Sequence, residues 1–391
     1  SIITVNGNTA TVSSAIGGAS GLIKQGAGTL ILSGTNIFSG STIISNGTVK
    51  LGADKTLPTT PGSTILNGIL DLNGFSNTVR NLSGSMGEVT CAAGANSILV
   101  VSNDTSTSYS GQIENGAGTV YVVKSGPGNF TVSGNTQTYT GLTTIAQGTL
   151  TLSTSLTSPV NINSGATLSI PAGAAGLRGE YYNIAPATAS FDTLSALNAH
   201  LAAYTPALIS SSINAGPDFN FNANGSGLPA PYNAGAVNLE VRWTGQFSAP
   251  VGGLYTFYTS SDDGSMLFID GAIVVSNNFF QGVTERAGTV TLTAGLHEIV
   301  IAFYQGGGGY GMYANVTIPG GSKQLIPNSM LTVGNASIGS LSGQAGSSLS
   351  VGNVQFTIQQ VTDQSFAGVI SGSGGTLVKS GTANLVLDGN N

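Results

Sequence analysis

Residues 24–52 read KQGAGTLILSGTNIFSGSTIISNGTVKLG, and residues 124–153 read KSGPGNFTVSGNTQTYTGLTTIAQGTLTLS. A third copy opens at Lys379 with KSGTANLVLDGNN. Lys24 and Lys124 stand 100 residues apart, whereas Lys124 and Lys379 stand 255 apart. Residues 176–330 differ in composition, and discounting those 155 residues restores a spacing of 100. Self-similarity at a fixed spacing marks a stacked, repeat-type architecture. The chain therefore reads as a repetitive scaffold, 1–175 and 331–391, with a separate domain, 176–330, spliced into one of its turns.

Within each copy the apolar residues alternate. Thr29-Leu30-Ile31-Leu32-Ser33 and Thr149-Leu150-Thr151-Leu152 carry the period-two pattern of a strand with one buried face. Asn46-Gly47 and Asn73-Gly74 punctuate the strands, and Gly and Asn tolerate the positive φ of tight corners. The scaffold has no helical stripe. These features predict an all-β chain built as a right-handed parallel β-helix, each short strand pairing with the coils before and after it. A flat β-sandwich is the competing architecture, but it leaves the 100-residue register unexplained.

Composition narrows the function classes. Gly makes up 58 of 391 residues and only 7% are charged, yet 40% are hydrophobic, enough to build a core rather than a disordered tract. The net charge is −6 and no block of like charge exists, so neither nucleic acid nor an anionic membrane is implied as a partner. The single Cys91 excludes an internal disulfide framework. No apolar run reaches the ~18 residues of a membrane-spanning helix. Residues 1–20 lack the pattern of a signal peptide.

The stretches Gly26–Leu51 and Gly126–Leu152 resemble the autotransporter-associated β-strand repeat, also called the passenger-associated transport repeat, with Pro127 and Asn129 as departures. Looser likeness joins Leu70–Gly84 to Leu331–Gly343, and Ile113–Lys124 to Ile370–Lys379. The resemblance implies a parallel β-helix outside a bacterial cell, secreted or held at the cell surface.

The insert opens with GLRGEYY (176–182), centres on VRWTGQFSAPVGGLYTFYTSSDDGSMLFIDGAIVVSN (241–277) and closes with LHEIVIAFYQGGGGYGMYANVTIPGG (296–321). It is similar along its length to the protective-antigen (PA-fourteen) domain, which implies a β-sandwich. Trp243 reads as core, since large aromatics dominate sandwich cores. In sugar-binding members of that family, the acidic pair matching Asp262 and Asp263 is joined by a cis peptide bond and holds one calcium ion, which also coordinates vicinal hydroxyls of a glycan. Calcium is a hard cation that takes several oxygens, and adjacent carboxylates supply charge that one alone does not. The resemblance adds Gln305 and Gly307 of the late glycine loop as further ligands and Tyr310 as a sugar contact. Against this stands a plainer reading in which Asp262 and Asp263 cap a turn. Asp270, in Ile269-Asp270-Gly271, reads as a hairpin turn residue, and Glu285 and Arg286 read as a local ion pair or, the better of the two, as solvated.

Catalysis is disfavoured. The scaffold's acids (Asp54, Asp71, Glu88, Asp104, Glu114, Asp363, Asp388) are scattered, His200 and His297 have no Ser or Cys motif beside them, and the GGGG run lacks the lysine of a phosphate loop. Two readings remain. One is an extracellular adhesin whose stalk displays a calcium-dependent carbohydrate-binding domain. The other is a structural filament or surface-layer subunit with the insert as spacer. Open coil ends predict head-to-tail stacking with copies of the chain or with neighbouring repeats.

Overall fold

The computed structural model describes residues 2–390 except 60–61, 134–135, 174, 186–190, 192, 211–219, 222–227, 229–236 and 335. The chain forms two compact units, one of Ser1–Ala172 with Ala336–Asn391 and the other of Gly173–Asn335. The second unit is therefore wider than 176–330. Its extra residues have a clear cause: Leu331 and Thr332 pair with Phe247 and Gln246 of the insert, so the likeness between Leu331–Gly343 and Leu70–Gly84 places them wrongly.

The first unit is a parallel β-solenoid of strands two to six residues long. Alternation dictates which side chains enter it. Leu30 and Leu32, Leu150 and Leu152, and Leu349 and Val351 point inward, while their Thr and Ser neighbours stay at the surface. Apart from the two pairings that span the insert, each strand pairs with one a single coil later, from 17 residues on for Thr143 and Val160 to 24 for Glu88 and Gln112. Inward residues consequently stack in columns, such as Leu30, Val49, Leu70, Val89 and Ile113.

Every coil visits three faces. The first runs from Ile2–Thr4 through Leu22–Gln25, Thr42–Ile44 and Thr64–Leu66, then by the bridges Ile65–Ser83 and Gly84–Tyr109 into the sheet that contains Asn129–Val132 and Thr149–Leu152. The second runs from Thr9–Val12 and Thr29–Leu32 to Gln112–Ile113, and continues past Gln137 and Leu156 to Ala336–Ile338 and Thr376–Lys379. The third runs from Asn77–Arg80 through Val120–Ser125 to Leu385–Leu387. The three copies of the repeated phrase fall on different faces. Lys24 lies on the first, Lys124 on the third and Lys379 on the second. The 100-residue spacing is thus not a whole number of coils; each copy is advanced by two thirds of a turn beyond the last complete coil.

The lysine that opens each phrase has a structural task. Lys24 and Lys124 are fully buried. Nζ of Lys24 donates to the carbonyls of Gln25, Gly26 and Asn46 at 2.9, 2.7 and 3.1 Å. Nζ of Lys124 does the same to Ser125, Gly126 and Gln147 at 2.9, 2.8 and 3.0 Å. Two acceptors belong to the lysine's own corner and the third to the next coil, so each ammonium cross-links successive turns with all three of its N–H donors. The glycines at these corners take positive φ, and a Cβ on Gly148 would sit 2.5 Å from the Gly126 carbonyl oxygen. Buried amides do similar work. The Asn36 side chain accepts from Ile16 N–H and donates to Thr56 O, and the Gln137 side chain accepts from Ile113 N–H and donates to Gly111 O.

The second unit is a β-sandwich. One sheet carries Arg178–Asn183, Leu239–Ala249, Gly295–Gln305, Gly264–Ile269 and Ala272–Asn277 in that spatial order; the other carries Gly311–Thr317, Gly253–Asp262 and Thr284–Leu292. Between them pack Trp243, Phe247, Tyr255, Phe257 and Phe303, with Trp243 fully buried and donating to the Tyr181 hydroxyl at 3.2 Å. Helix Leu194–Leu201 covers the outer side of the first sheet, closing on Met266, Val300 and Ala302. The entering and leaving chains are tied together by an Ala175–Thr332 bridge and by Gly176 N–H donating to Leu331 O at 3.0 Å.

Candidate functional site

Asp262 ends a strand of one sheet and Gly264 begins a strand of the other, so the chain changes sheets at Asp263. The connection from Gln305 to Gly311 also changes sheets, as does that from Asn277 to Thr284. Register brings the three together. Asp262 pairs with Gly311, Gly264 with Tyr304, and Ser261 with Thr284. The result is one cluster of crossovers at the edge of the sandwich, with the Asp262–Asp263 peptide bond in the cis form.

Asp263 is nearly buried and its carboxylate accepts two backbone N–H groups, Oδ1 from Gln281 at 3.1 Å and Oδ2 from Gly306 at 2.8 Å. Its own N–H donates to Gln305 Oε1 at 3.1 Å, and Gln305 Nε2 donates to Gly309 O at 3.1 Å. Gln305 is therefore locked with its oxygen toward the acid pair. Among the described residues, the Asp262 carboxylate has no hydrogen-bond partner, and neither acid has an ion-pair partner. Burial, and then the like charge of Asp263, raise the Asp262 pKa above the ordinary carboxylate value. The glycine loop lies against both carboxylates: a Cβ on Gly309 would be 3.5 Å from Asp262 Oδ2, and one on Gly306 would be 3.4 Å from Asp263 Oδ2.

This donor set suits an oxygen-seeking cation. Among the described residues no three His, Cys, Asp or Glu side chains gather, so an ion here must draw on amide and backbone oxygens besides the two carboxylates. Gln305 Oε1 and the Asp263 oxygens each keep a lone pair beyond the bonds just given. Calcium accepts such mixed oxygen shells. Gly307 lies exposed in the same loop.

Tyr310, expected as a sugar contact, is only 6% exposed and packs in the inner core with Phe303 and Met312. It stands two residues before Met312, so alternation puts it on the same inward face as Met312, Ala314 and Val316. Glu285 and Arg286 are not solvated bystanders: Glu285 accepts from Lys323 Nζ at 2.6 Å and from Ser260 at 2.9 Å, while Arg286 stacks over the Phe279 ring at 4.6 Å and donates to Asn277 at 3.0 Å. Asp270 is a turn residue at φ 49°, accepting from Glu298 N–H and facing His297 at 2.7 Å.

Sequence reasoning missed the third crossover. Its anchor is Asn277, whose buried amide donates to Thr259 O, Ser261 Oγ and Thr284 O and accepts from Gln281 Nε2 and Arg286 Nε. The adjacent pair Phe279-Phe280 is 53% and 61% exposed. Two aromatics between Asn278 and Gly282, in a segment too polar and turn-like to be a strand, were the available signal.

A family model of the PA14 domain matches residues 204–329, and one of the passenger-associated-transport-repeat matches 22–51 and 122–152. The chain is 30% identical over 157 residues to the anti-sigma-I factor RsgI3 of Acetivibrio thermocellus, covering 40% of this chain and 21% of that protein. It is 32% identical over 153 residues to the adhesin BmaC autotransporter of Brucella suis biovar 1, covering 39% of this chain and 4% of that one. Among solved structures, a PA14 sugar-binding domain from an RTX adhesin aligns at 22% identity and a TM-score of 0.34, covering 41% of this chain and 99% of that one. The chain spans only a small part of either curated relative. Neither matched family is one of enzymes; the two matches to the passenger-associated-transport-repeat model fall in the solenoid, and the match to the PA14 model falls in the inserted sandwich.

Proposed function

We propose that this chain is an extracellular, cell-surface adhesive protein in which a β-solenoid stalk displays a carbohydrate-binding domain that works through calcium. Asp262, Asp263, Gln305 and a carbonyl of the loop at Gly307 hold the ion, and the ion presents open coordination positions to vicinal hydroxyls of a glycan. The observation that carries this reading is the Asp262 carboxylate, set beside Asp263 and the glycine loop with no ion-pair partner among the described residues. Two like charges so placed favour a bound cation. The family matches support the surface setting. No catalytic role is proposed.

Calcium titration tests it. Binding to the folded domain raises its melting temperature, and the rise grows with free calcium. The double variant D262N/D263N abolishes the rise. A glycan array read with and without calcium then tests the sugar. No heat and no melting shift with calcium returns the acid pair to a turn-capping role and favours a spacer. That second reading has its own support, because coils on either side of the insertion pair directly, Thr167–Ile170 with Ser348–Val351. We also propose that the solenoid stacks head to tail on further coils, of this chain or of another copy. A regular thin shaft in electron micrographs is the expected result, and compact monodisperse monomers the contrary one.

A further inference from the structure

We propose that Phe280 is the stacking platform of the sugar site, the residue that selects which ring of a glycan lies over the acid pair. The inference rests on the calcium-and-glycan reading above and deepens it by naming the ligand's chemistry: a pyranose whose vicinal hydroxyls reach the cation while an apolar C–H face meets an aromatic ring.

Three observations carry it. First, Phe280 is 61% exposed although it borders a sandwich whose inner aromatics, Trp243, Phe247, Tyr255, Phe257 and Phe303, are buried, and Phe279, Val283 and Val237 beside the same loops are 53%, 54% and 65% exposed. Contiguous apolar surface of this kind marks an interaction site rather than ordinary surface scatter. Second, Phe280 adjoins the acid pair. A Cβ on Gly306 would be 3.0 Å from the Phe280 ring and 3.4 Å from Asp263 Oδ2, so the ring edge and the carboxylate flank one residue of the glycine loop. Third, the ring is held in place. Tyr304 supports it edge-on, with centroids 5.3 Å apart and planes at 72°, and the N–H of the next residue, Gln281, is bonded to Asp263 Oδ1. Arg286 over Phe279, together with the Asn277 amide, fixes the rest of the segment. An exposed aromatic already fixed in position loses little freedom on binding.

The chemistry follows. A pyranose is amphipathic, with hydroxyls around its rim and C–H groups on its faces. The cation takes the rim, as it would from any vicinal diol, and so discriminates little by itself. The Phe280 face rewards rings that offer a continuous C–H patch on the side away from the ion.

Isothermal titration of the calcium-loaded chain with a panel of methyl glycosides (mannoside, galactoside, fucoside, glucoside) tests this, using wild type, F280A, F280W and D262N/D263N. In the wild type, proton NMR of the bound glycoside shows upfield ring-current shifts confined to one face. F280A is expected to weaken the preferred glycoside tenfold or more, about 1.4 kcal/mol, to erase those shifts and to keep the calcium-induced rise in melting temperature. F280W is expected to retain binding and the shifts. A glycoside bound equally well by wild type and F280A, yet lost in D262N/D263N, overturns the platform and leaves the calcium site standing. Absence of both the calcium shift and glycoside binding in the wild type overturns the site and the platform together.

Discussion

A fully buried lysine is unusual because transfer of an ammonium out of water is costly unless every donor is met. In Lys124 each of the three N–H groups meets a carbonyl, and burial pushes its pKa down to about 8. Replacement by Met keeps the stem but leaves the Ser125, Gly126 and Gln147 carbonyls without that donor. K124M is therefore expected to destabilise the solenoid by about 2–4 kcal/mol in denaturant unfolding; a loss below about 0.5 kcal/mol would show that the carbonyls find other donors. The sequence makes Lys24 and Lys124 visible as markers of the repeat but not as cross-links. Their acceptors are backbone oxygens, one of them a coil away, and no side-chain pattern announces a carbonyl. Asp262 and Asp263 were legible because two adjacent acids in a motif are visible in one dimension. Phe280 was not, since its importance arises only when the 277–284 crossover is brought beside the 305–311 crossover.

At the scale of elements, the sheet-switching segments depend on a few buried polar groups. Asn277 joins two sheets through five hydrogen bonds, and N277A is expected to cost the insert about 2–3 kcal/mol. Its melting transition should fall while that of the solenoid stays in place. Beneath the helix Leu194–Leu201, Glu180 is opposed by burial, but Arg242 and Arg178 outweigh it and hold its pKa below the ordinary 4.5. A lowered folded-state pKa means a contribution present above 4.5 and lost as pH falls through the folded value. The insert should therefore lose stability on acidification below about pH 4.5, and E180Q should flatten that part of the profile. Alternation told which strand residues face inward. It gave no hint of the phase of the repeat, because a strand on any of the three faces carries the same alternation.

At the scale of the molecule, the insertion lies between the first face, at Ile170, and the second, at Ala336. The equivalent corner one coil later, from Val351 to Gln355, uses three residues. Deleting 173–335 and adding one glycine rebuilds a corner of that length. The product is expected to keep parallel β-structure and the melting transition of the solenoid, and to lose any response to calcium; loss of β-structure by circular dichroism is the contrary result.

The same corner decides how tension travels. Val160–Ile162 is hydrogen-bonded to Leu341–Gly343, and Thr167–Ile170 to Ser348–Val351, so the coils before and after the insertion are laced together without it. A pull along the stalk is shared by those ladders, while Ala175 and Thr332 close the entrance to the sandwich like the two ends of a loop tied at its neck. The insert is thus connected in parallel with the load-bearing ladders rather than in series with them. A pull borne by the shaft's ladders therefore bypasses the neck at which the insert is tied.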